Sequence, residues 1–324
     1  MKRIGLITSG GDAPGMNACV RAVVKTALNH GVEVIGFIDG YEGLIEDKYR
    51  KLSFGDVDNI VQRGGTILGT ARCEEFKTAE GRAKAIANLN QKRVKGFIAI
   101  GGDGTFMGAK VLSDEMNIPV IGLPGTIDND IFGTDHTIGY DTALNTVVEA
   151  VDKIRDTASS HHRIFFVEVM GRDAGFIALN SAIASGAESV LIPEEETDIE
   201  ALAKDIREQN RGKRGSIIIV AEGDDAGGAI EIMEKVSPYL KDYKMRCTVL
   251  GHLQRGGSPS AFDRILATRM GAHAVELLLS GKSDLMVGSK GEALVTLPLD
   301  QAIKMHPQPD LERLKMLQNL RTLG

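Results

Sequence analysis

Phe97-Ile98-Ala99-Ile100-Gly101-Gly102-Asp103-Gly104-Thr105 and Val120-Ile121-Gly122-Leu123-Pro124-Gly125-Thr126-Ile127-Asp128-Asn129-Asp130 decide how this chain folds. In each, a short apolar run ends on glycine and then on carboxylates. Runs of this kind read as strands buried on both faces. The polar residues behind them then lie where doubly wound α/β folds collect their ligands. Glycine lets backbone N–H groups approach a polyanion without a Cβ in the way, and the helix expected to start near Thr105 points its positive end at the same place. Asp103 would repel a phosphate there unless a cation lay between them. Mg²⁺, which keeps most of its waters and takes one or two protein oxygens, is the expected cation. The second loop adds Asp128 and Asp130, one of them a candidate general base. Gly-Gly-Asp-Gly alone is a turn sequence; the second loop beside it is what makes a site the better reading.

Outward from these loops the same rhythm continues. Strands are predicted over 4–7, 32–37, 96–100, 120–123, 164–169, 190–192, 217–221 and 248–250. Helices are predicted over 17–30, 106–116, 142–157, 177–185, 199–211, 230–239 and 261–279, with a further one over 310–321. Alternation of short apolar and longer amphipathic segments gives βαβ units and an α/β fold with mainly parallel sheets. Six polar motifs directly follow predicted strands: Ser9-Gly10-Gly11-Asp12, Gly102-Asp103, residues 126–130, Met170-Gly171-Arg172, Glu222 and the run from Gly251 to Gly257. Six such placements at one kind of sheet edge imply one cleft between two sheets. The stretch 289–324 contains nothing that reads as catalytic.

The chain has 324 residues, 43% hydrophobic and 25% charged, which is room for two globular domains. A net charge of −6, with no long basic block, disfavours nucleic acid as the main partner. Cys19, Cys73 and Cys247 are odd in number and widely spaced, so neither a disulfide framework nor a zinc site is indicated. With no signal-peptide pattern and no apolar run long enough for a bilayer, the expectation is a cytoplasmic protein with no membrane partner.

No G-x-x-x-x-G-K-S/T loop occurs, and Gly102-x-Gly104-x-x-x-Gly108 has the wrong spacing for a dinucleotide fingerprint, which disfavours hydride transfer. The parts present are phosphate cradles, a metal carboxylate, a base carboxylate and the loop arginines Arg72, Arg163, Arg172, Arg246 and Arg255. Phosphoryl transfer is mostly positioning and stabilisation of charge, and this inventory suits it.

Over nearly its whole length the chain resembles the bacterial ATP-dependent 6-phosphofructokinase family. The resemblance rests on residues 9–17, Arg63-Gly64-Gly65-Thr66, 101–104, 124–130, Val169-Met170-Gly171-Arg172 and 251–258. It implies two similar three-layer α/β/α domains with the active site in the cleft between them. The larger, ATP-binding domain would take 1–139 plus 254–304, and the smaller, sugar-phosphate-binding domain 140–253 plus 305–324. It also implies fructose 6-phosphate and Mg-ATP as substrates and a homotetramer. Carried over by position, Gly11, Arg72, Cys73, Gly102, Asp103, Gly104 and Thr105 would hold ATP, with Asp103 on the metal. Asp128 would be the base, supported by Thr126 and Asp130, while Arg72 and Arg172 stabilise the moving charge. Thr126, Ile127, Asp128, Met170, Gly171, Arg172, Glu222, His252, Leu253, Gln254 and Arg255 would bind the sugar phosphate, joined by Arg163 and Arg246 from a neighbouring subunit. Guanidinium forks suit a phosphate better than an ammonium does. Taken singly, His252 reads as a hydrogen-bonded structural histidine and Cys73 as a small buried residue.

Relatives that use pyrophosphate typically carry Asp at position 104 and Lys at 125, so glycine at both places favours ATP. The resemblance also implies an effector site for a nucleoside diphosphate or phosphoenolpyruvate, built from Arg21, Lys25, Arg155, Gly186, Glu188, Arg211, Lys213, Arg214 and Gly215. Lys25 stands where the best-known members carry Arg, Asn59 where they carry Asp, and Phe54 where some carry a cation. A weaker or altered effector response is expected; saturation curves at low fructose 6-phosphate that shift strongly with ADP would count against it. Two competing readings are a kinase of the NAD or diacylglycerol type, which leaves 126–130, 170–172 and 252–257 unexplained, and a silent nucleotide sensor on the same scaffold.

Overall fold

The apolar runs become strands, and most are enclosed in parallel sheets. In the computed structural model, which describes residues 1–210 and 215–320, the strands are β1 (Arg3–Thr8), β2 (Glu33–Phe37), β3 (Tyr49–Leu52), β4 (Phe97–Gly101), β5 (Val120–Pro124), β6 (Arg163–Val169), β7 (Ser189–Leu191), β8 (Gly215–Ala221), β9 (Lys244–Val249), β10 (Leu285–Lys290) and β11 (Ala293–Pro298). The chain forms two units. One comprises Met1–Ile127, Ile131–Thr142 and Arg255–Pro307; the other comprises Asp128–Asp130, Ala143–Gln254 and the segment from Gln308 onward.

The first unit holds a seven-stranded sheet in the order β11-β10-β5-β4-β1-β2-β3. Its five central strands are parallel, and each edge strand is antiparallel to its neighbour. The central strands are fully enclosed, with Phe37, Phe97 and Phe106 among the largest buried side chains. The helices Met16–Asn29 and Ala261–Leu279 pack on each other so closely that a Cβ at Gly271 would lie 2.7 Å from the Cys19 carbonyl. The second unit is a four-stranded, all-parallel sheet in the order β7-β8-β6-β9. Its core packs Phe166, Ile218 and Val220 against Leu202 and Ile206 of the helix Ile199–Gln209 and Ile232 of the helix Ala229–Val236.

All eight predicted strands have a counterpart, although the one predicted over 248–250 is β9 (Lys244–Val249), which starts four residues earlier and ends before Leu250. Three strands come in addition: β3 and the β10–β11 hairpin. Tyr49-Arg50-Lys51-Leu52 exposes its first three residues at a sheet edge, so it lacks an apolar run. The hairpin turns through Gly291 and Glu292, with Gly291 at φ 54°, a conformation that fits the twist of paired strands. Helix boundaries need correction: the helix predicted over 142–157 runs Tyr140–His161, and the one predicted over 230–239 ends at Val236. The helix expected to begin near Thr105 begins at Asp103 (Asp103–Met116), because Gly102 in extended conformation ends β4's path and the next residue already turns. The helix predicted over 310–321 spans Leu311–Asn319, and position 321 lies outside the described residues.

Candidate active site

In the first unit, three chain segments meet at the carboxyl ends of β1 and β4. After β1, Ser9 donates its N–H to the Ile100 carbonyl at 3.0 Å, and its own carbonyl accepts the Thr105 hydroxyl at 3.1 Å. Thr70 fixes the Gly10 carbonyl at 2.6 Å. After β4, Gly102 starts the helix Asp103–Met116 and its carbonyl accepts the N–H groups of Thr105 and Phe106. No side chain of Gly102 can cap this helix start, and apart from its chain neighbours and the helix's own backbone a Cβ at Gly102 or Gly104 would meet no atom within 4 Å. The positive end of the helix therefore faces a space that protein atoms leave open. Asp103 stands at its rim, half-buried, with Oδ1 accepting the Gly104 N–H at 2.7 Å.

Arg72 is exposed, whereas half-buried Cys73 packs against the core of the unit and its thiol is pushed up by burial. Arg255 lies on the Gly11 loop. Its Nη1 donates to the Asp12 carbonyl at 3.3 Å and sits 2.5 Å from where a Gly11 Cβ would be. Two contributors had no sequence signal. The Tyr41 hydroxyl donates to the Thr105 carbonyl at 2.5 Å while its ring stacks on Phe76 at 4.2 Å, and Gly108 makes room for that ring. Tyr41 and Phe76 are far apart in the chain, and only the tertiary fold pairs them.

The loop after β5 is pinned by Gly125 N–H to the Gly101 carbonyl (3.0 Å) and by the Thr137 hydroxyl to the Thr126 carbonyl (2.6 Å). Ile127 is fully buried and Asn129 turns the chain at φ 56°.

In the second unit, Asp128 is buried with its Oδ2 3.3 Å from Arg172 Nε, and the arginine is about half exposed. Arg172 itself holds a left-handed backbone, φ 51°, next to Gly171 at φ 149°. Glu222 stabilises that turn: its Oε1 accepts the N–H groups of Gly171 (3.3 Å) and Arg172 (2.9 Å). Gly223 is required beside it, since a Cβ there would lie 2.1 Å from the Arg172 carbonyl. Buried Gln254 accepts the Met170 N–H at 3.2 Å and donates to the Gly251 carbonyl at 3.0 Å. His252 and Leu253 project outward, Leu253 being 71% exposed. Asp130 is half-buried within the same short segment as Asp128.

Arg163 and Arg246 are not brought to this group. Arg163 begins β6, whereas Met170 follows its end, and the extended chain between them spans about 20 Å. Arg246, exposed, lies midway along β9.

Comparison with known proteins supplies the family. The profile of the phosphofructokinase family, PFK, matches residues 3–278. The chain belongs to this family. It is 55% identical over 322 residues to ATP-dependent 6-phosphofructokinase 1 of Thermus thermophilus, covering 99% of each chain. It is 59% identical over 296 residues to ATP-dependent 6-phosphofructokinase of Bacillus pumilus, covering 91% of this chain and 92% of the relative. Among solved structures, phosphofructokinase from Saccharomyces cerevisiae matches with a TM-score of 0.88 at 35% identity, over 98% of this chain and 47% of that one.

As a phosphofructokinase the chain would be expected to use a divalent cation, and the donor set can be tested for fit. Among the described residues no group of three or more His, Cys, Asp or Glu side chains is arranged to hold a metal. A caged site is therefore not the fit. A single carboxylate, Asp103, at the rim of the open cradle over Gly102 and Gly104 fits an ion that takes one protein oxygen and completes its shell with phosphate and water.

The residues carried over as an effector site fall in both units. In the first, Lys25 pairs with exposed Asp58 at 3.1 Å and Arg21 is half-buried. In the second, Arg155 donates to the carbonyls of Ser185 (3.0 Å) and Gly186 (2.9 Å), and its Nη1 lies 3.4 Å from Glu188. Glu188 in turn accepts the Ile217 N–H at 2.8 Å, close to where Gly215 opens β8 at φ 143°. Arg211, Lys213 and Arg214 lie outside the described residues. No helix among the described residues is long and apolar enough to cross a membrane.

Proposed function

We propose that this protein is an ATP-dependent 6-phosphofructokinase, transferring the γ-phosphoryl group of ATP to the 1-hydroxyl of fructose 6-phosphate. The observation that carries the reading is the buried Asp128 carboxylate held 3.3 Å from Arg172, in a chain 55% identical over its whole length to a relative of that name. Buried carboxylates are costly, and one oriented by a guanidinium at a strand end is suited to take a proton. In this role Asp128 removes the sugar hydroxyl proton as the oxygen attacks phosphorus, and Arg172 meets the negative charge that spreads over the moving group. Thr126 and Asp130 hold the loop around the base. Residues 1–139 with 254–304 take ATP through Gly11, Arg72, Cys73 and Gly102–Thr105. Residues 140–253 with 305–324 take the sugar phosphate through Met170, Glu222, His252 and their neighbours. When bound, Mg²⁺ would neutralise phosphate charge from Asp103.

The open space over Gly104 supports ATP as donor, since a phosphate chain needs room there. Gly125 is more crowded: a Cβ would come within 3.0 Å of the Ile100 and 3.1 Å of the Met16 side chain, so a larger residue there requires those two side chains to give way. In this reading the enzyme works in the cytoplasm as a homotetramer in which Arg163 and Arg246 serve a neighbouring subunit's sugar phosphate. A nucleoside diphosphate or phosphoenolpyruvate modulates it through the Arg21, Lys25 and Arg155 positions.

The deciding experiment measures fructose 1,6-bisphosphate formation with ATP or pyrophosphate for the native chain and Asp128→Asn. Turnover with ATP alone is expected, with kcat reduced at least about 100-fold in the variant. Turnover with pyrophosphate would sink the donor argument; none with either would favour the sensor reading.

A further inference from the structure

The loop that presents Arg172 is held at both ends by carboxylates from other strands. Glu222, directly after β8, holds its start through the Gly171 and Arg172 N–H groups. Glu194, just past β7, holds its end: both carboxylate oxygens accept the Gly175 N–H, at 2.8 and 3.1 Å. Gly175 is the residue from which the helix Phe176–Ser185 departs, and having no side chain it cannot cap that helix itself. Between the two clamps the chain is tight, with the Ala174 N–H returning to the Gly171 carbonyl at 3.0 Å.

Arg172 in the left-handed region costs about 1–2 kcal/mol, and such a conformation persists only where the surroundings over-determine it. One clamp fixes the residue that carries the guanidinium; the second keeps the far end of the loop from swinging and relaxing the strained turn. Besides the Gly175 N–H, the Glu194 carboxylate accepts its own backbone N–H. Among the described residues no cation pairs with it, and burial pushes its carboxyl above the usual range against the pull of the Gly175 N–H. A carboxylate kept half-buried without a counter-cation makes sense where it faces a helix start.

We propose that Glu194 is a positioning residue for phosphoryl transfer, which through Gly175 fixes the loop that aims Arg172 at Asp128. The inference rests on the phosphofructokinase reading for its kinetic consequence, because Arg172 matters to turnover only there. Displacement of a charged group by about 1 Å can cost about 100-fold in rate, so a released loop end should be visible in kcat.

The test is a double-mutant cycle on fructose 6-phosphate and ATP, with Glu194→Ala, Arg172→Ala and the pair, plus Glu194→Gln. Glu194→Ala is expected to lower kcat at least about 10-fold with KM for ATP unchanged. Glu194→Gln, which keeps one oxygen toward Gly175, should stay within about threefold of the native chain. In the Arg172→Ala background, Glu194→Ala should cost nothing further. Equal losses in both backgrounds, or native kcat in Glu194→Ala, overturn the assignment. If Glu194→Ala does not fold, Glu194→Asp, one methylene short of Gly175, takes its place in the cycle under the same criteria. Hydrogen exchange gives a readout that needs no turnover: the Gly175 amide should exchange at least about 10-fold faster in the variant while the helix Ala261–Leu279 is unchanged. Unchanged exchange at Gly175 also overturns the clamp. A native chain inactive with both donors defeats the phosphofructokinase reading instead, and the exchange arm still judges whether Glu194 holds the loop.

Discussion

Among the helices that start on glycine, those after Gly102 and Gly175 have their positive ends treated in opposite ways. At Gly175 the N–H is taken by Glu194, and a Cβ would collide with that carboxylate at 2.5 Å and with Ile192 at 2.6 Å. At Gly102 the cap residue offers no side chain, Asp103 Oδ1 takes only the Gly104 N–H at 2.7 Å, and apart from the chain neighbours and the helix's own backbone no atom lies within 4 Å of where a Cβ would stand at Gly102 or Gly104. Both termini carry the same orphan N–H groups and the same partial positive charge. The difference lies in who supplies the anion. A terminus filled from within fixes a loop, and one left open can receive a ligand.

Placing a negative charge in the open terminus should break the contrast most severely. Gly104→Asp puts a carboxylate where an ATP phosphate would lie, and like-charge juxtaposition costs several kcal/mol. The expected result is a loss of at least about 100-fold in kcat/KM for ATP. Because an acidic residue in a first helical turn is favourable and nothing crowds the site, Tm should stay within about 2 °C. A variant that loses stability instead of activity would show the space to be structural.

A third helix start sharpens the comparison from the filled side. Asp263, fully buried, accepts the Gly139 N–H (2.9 Å), the Thr142 N–H (2.8 Å) and the Thr142 hydroxyl (2.5 Å) at the start of the helix Tyr140–His161. Burial outweighs these donors and raises its carboxyl to about 6. An acid whose folded value is raised contributes stability that is fully present below its unfolded value, near 3.8, and is lost as pH rises through about 6. The protonated and ionised forms then differ by about 3 kcal/mol in how well the fold accommodates them. Any Tm advantage of the native chain over Asp263→Asn should therefore shrink from pH 4 to pH 7. An advantage that is flat or grows would mean the carboxylate is not destabilised by its burial.

These three starts differ in how far the sequence announces them. Gly101-Gly102-Asp103-Gly104 is legible because strand, glycines and carboxylate are contiguous. Asp128 and Arg172 are legible through the motifs around them, although only the fold sets them 3.3 Å apart. Glu194 sits in Glu194-Glu195-Glu196-Thr197-Asp198, which reads as a solvated acidic loop; it is the order β7-β8-β6 that carries it to Gly175. Asp263 and Gly139 are likewise 124 positions apart. The helix Ala79–Gln91 escaped for another reason: its buried residues are only Gly81, Ala85 and Leu89, a stripe too narrow and too small to stand out from its polar composition. Parallel strands buried on both faces announce themselves; edge strands, thin helices and long-range caps do not.

The smallest effects compare the two glycines directly. Gly175→Ala forces a methyl against a carboxylate oxygen and the branched Ile192 side chain, and overpacking of this kind costs about 1–3 kcal/mol. Gly102→Ala meets nothing, so its cost is confined to the poorer capping preference of alanine, below about 1 kcal/mol. Thermal unfolding of the two variants should therefore show Gly175→Ala lowered by several degrees and Gly102→Ala close to the native chain. Their order in ATP binding should reverse, because the methyl at 102 intrudes on the open terminus while the one at 175 lies at the filled one. If both variants lose stability alike, the space over Gly102 is no cradle, and the distinction between an anion supplied by the protein and one supplied by a ligand collapses.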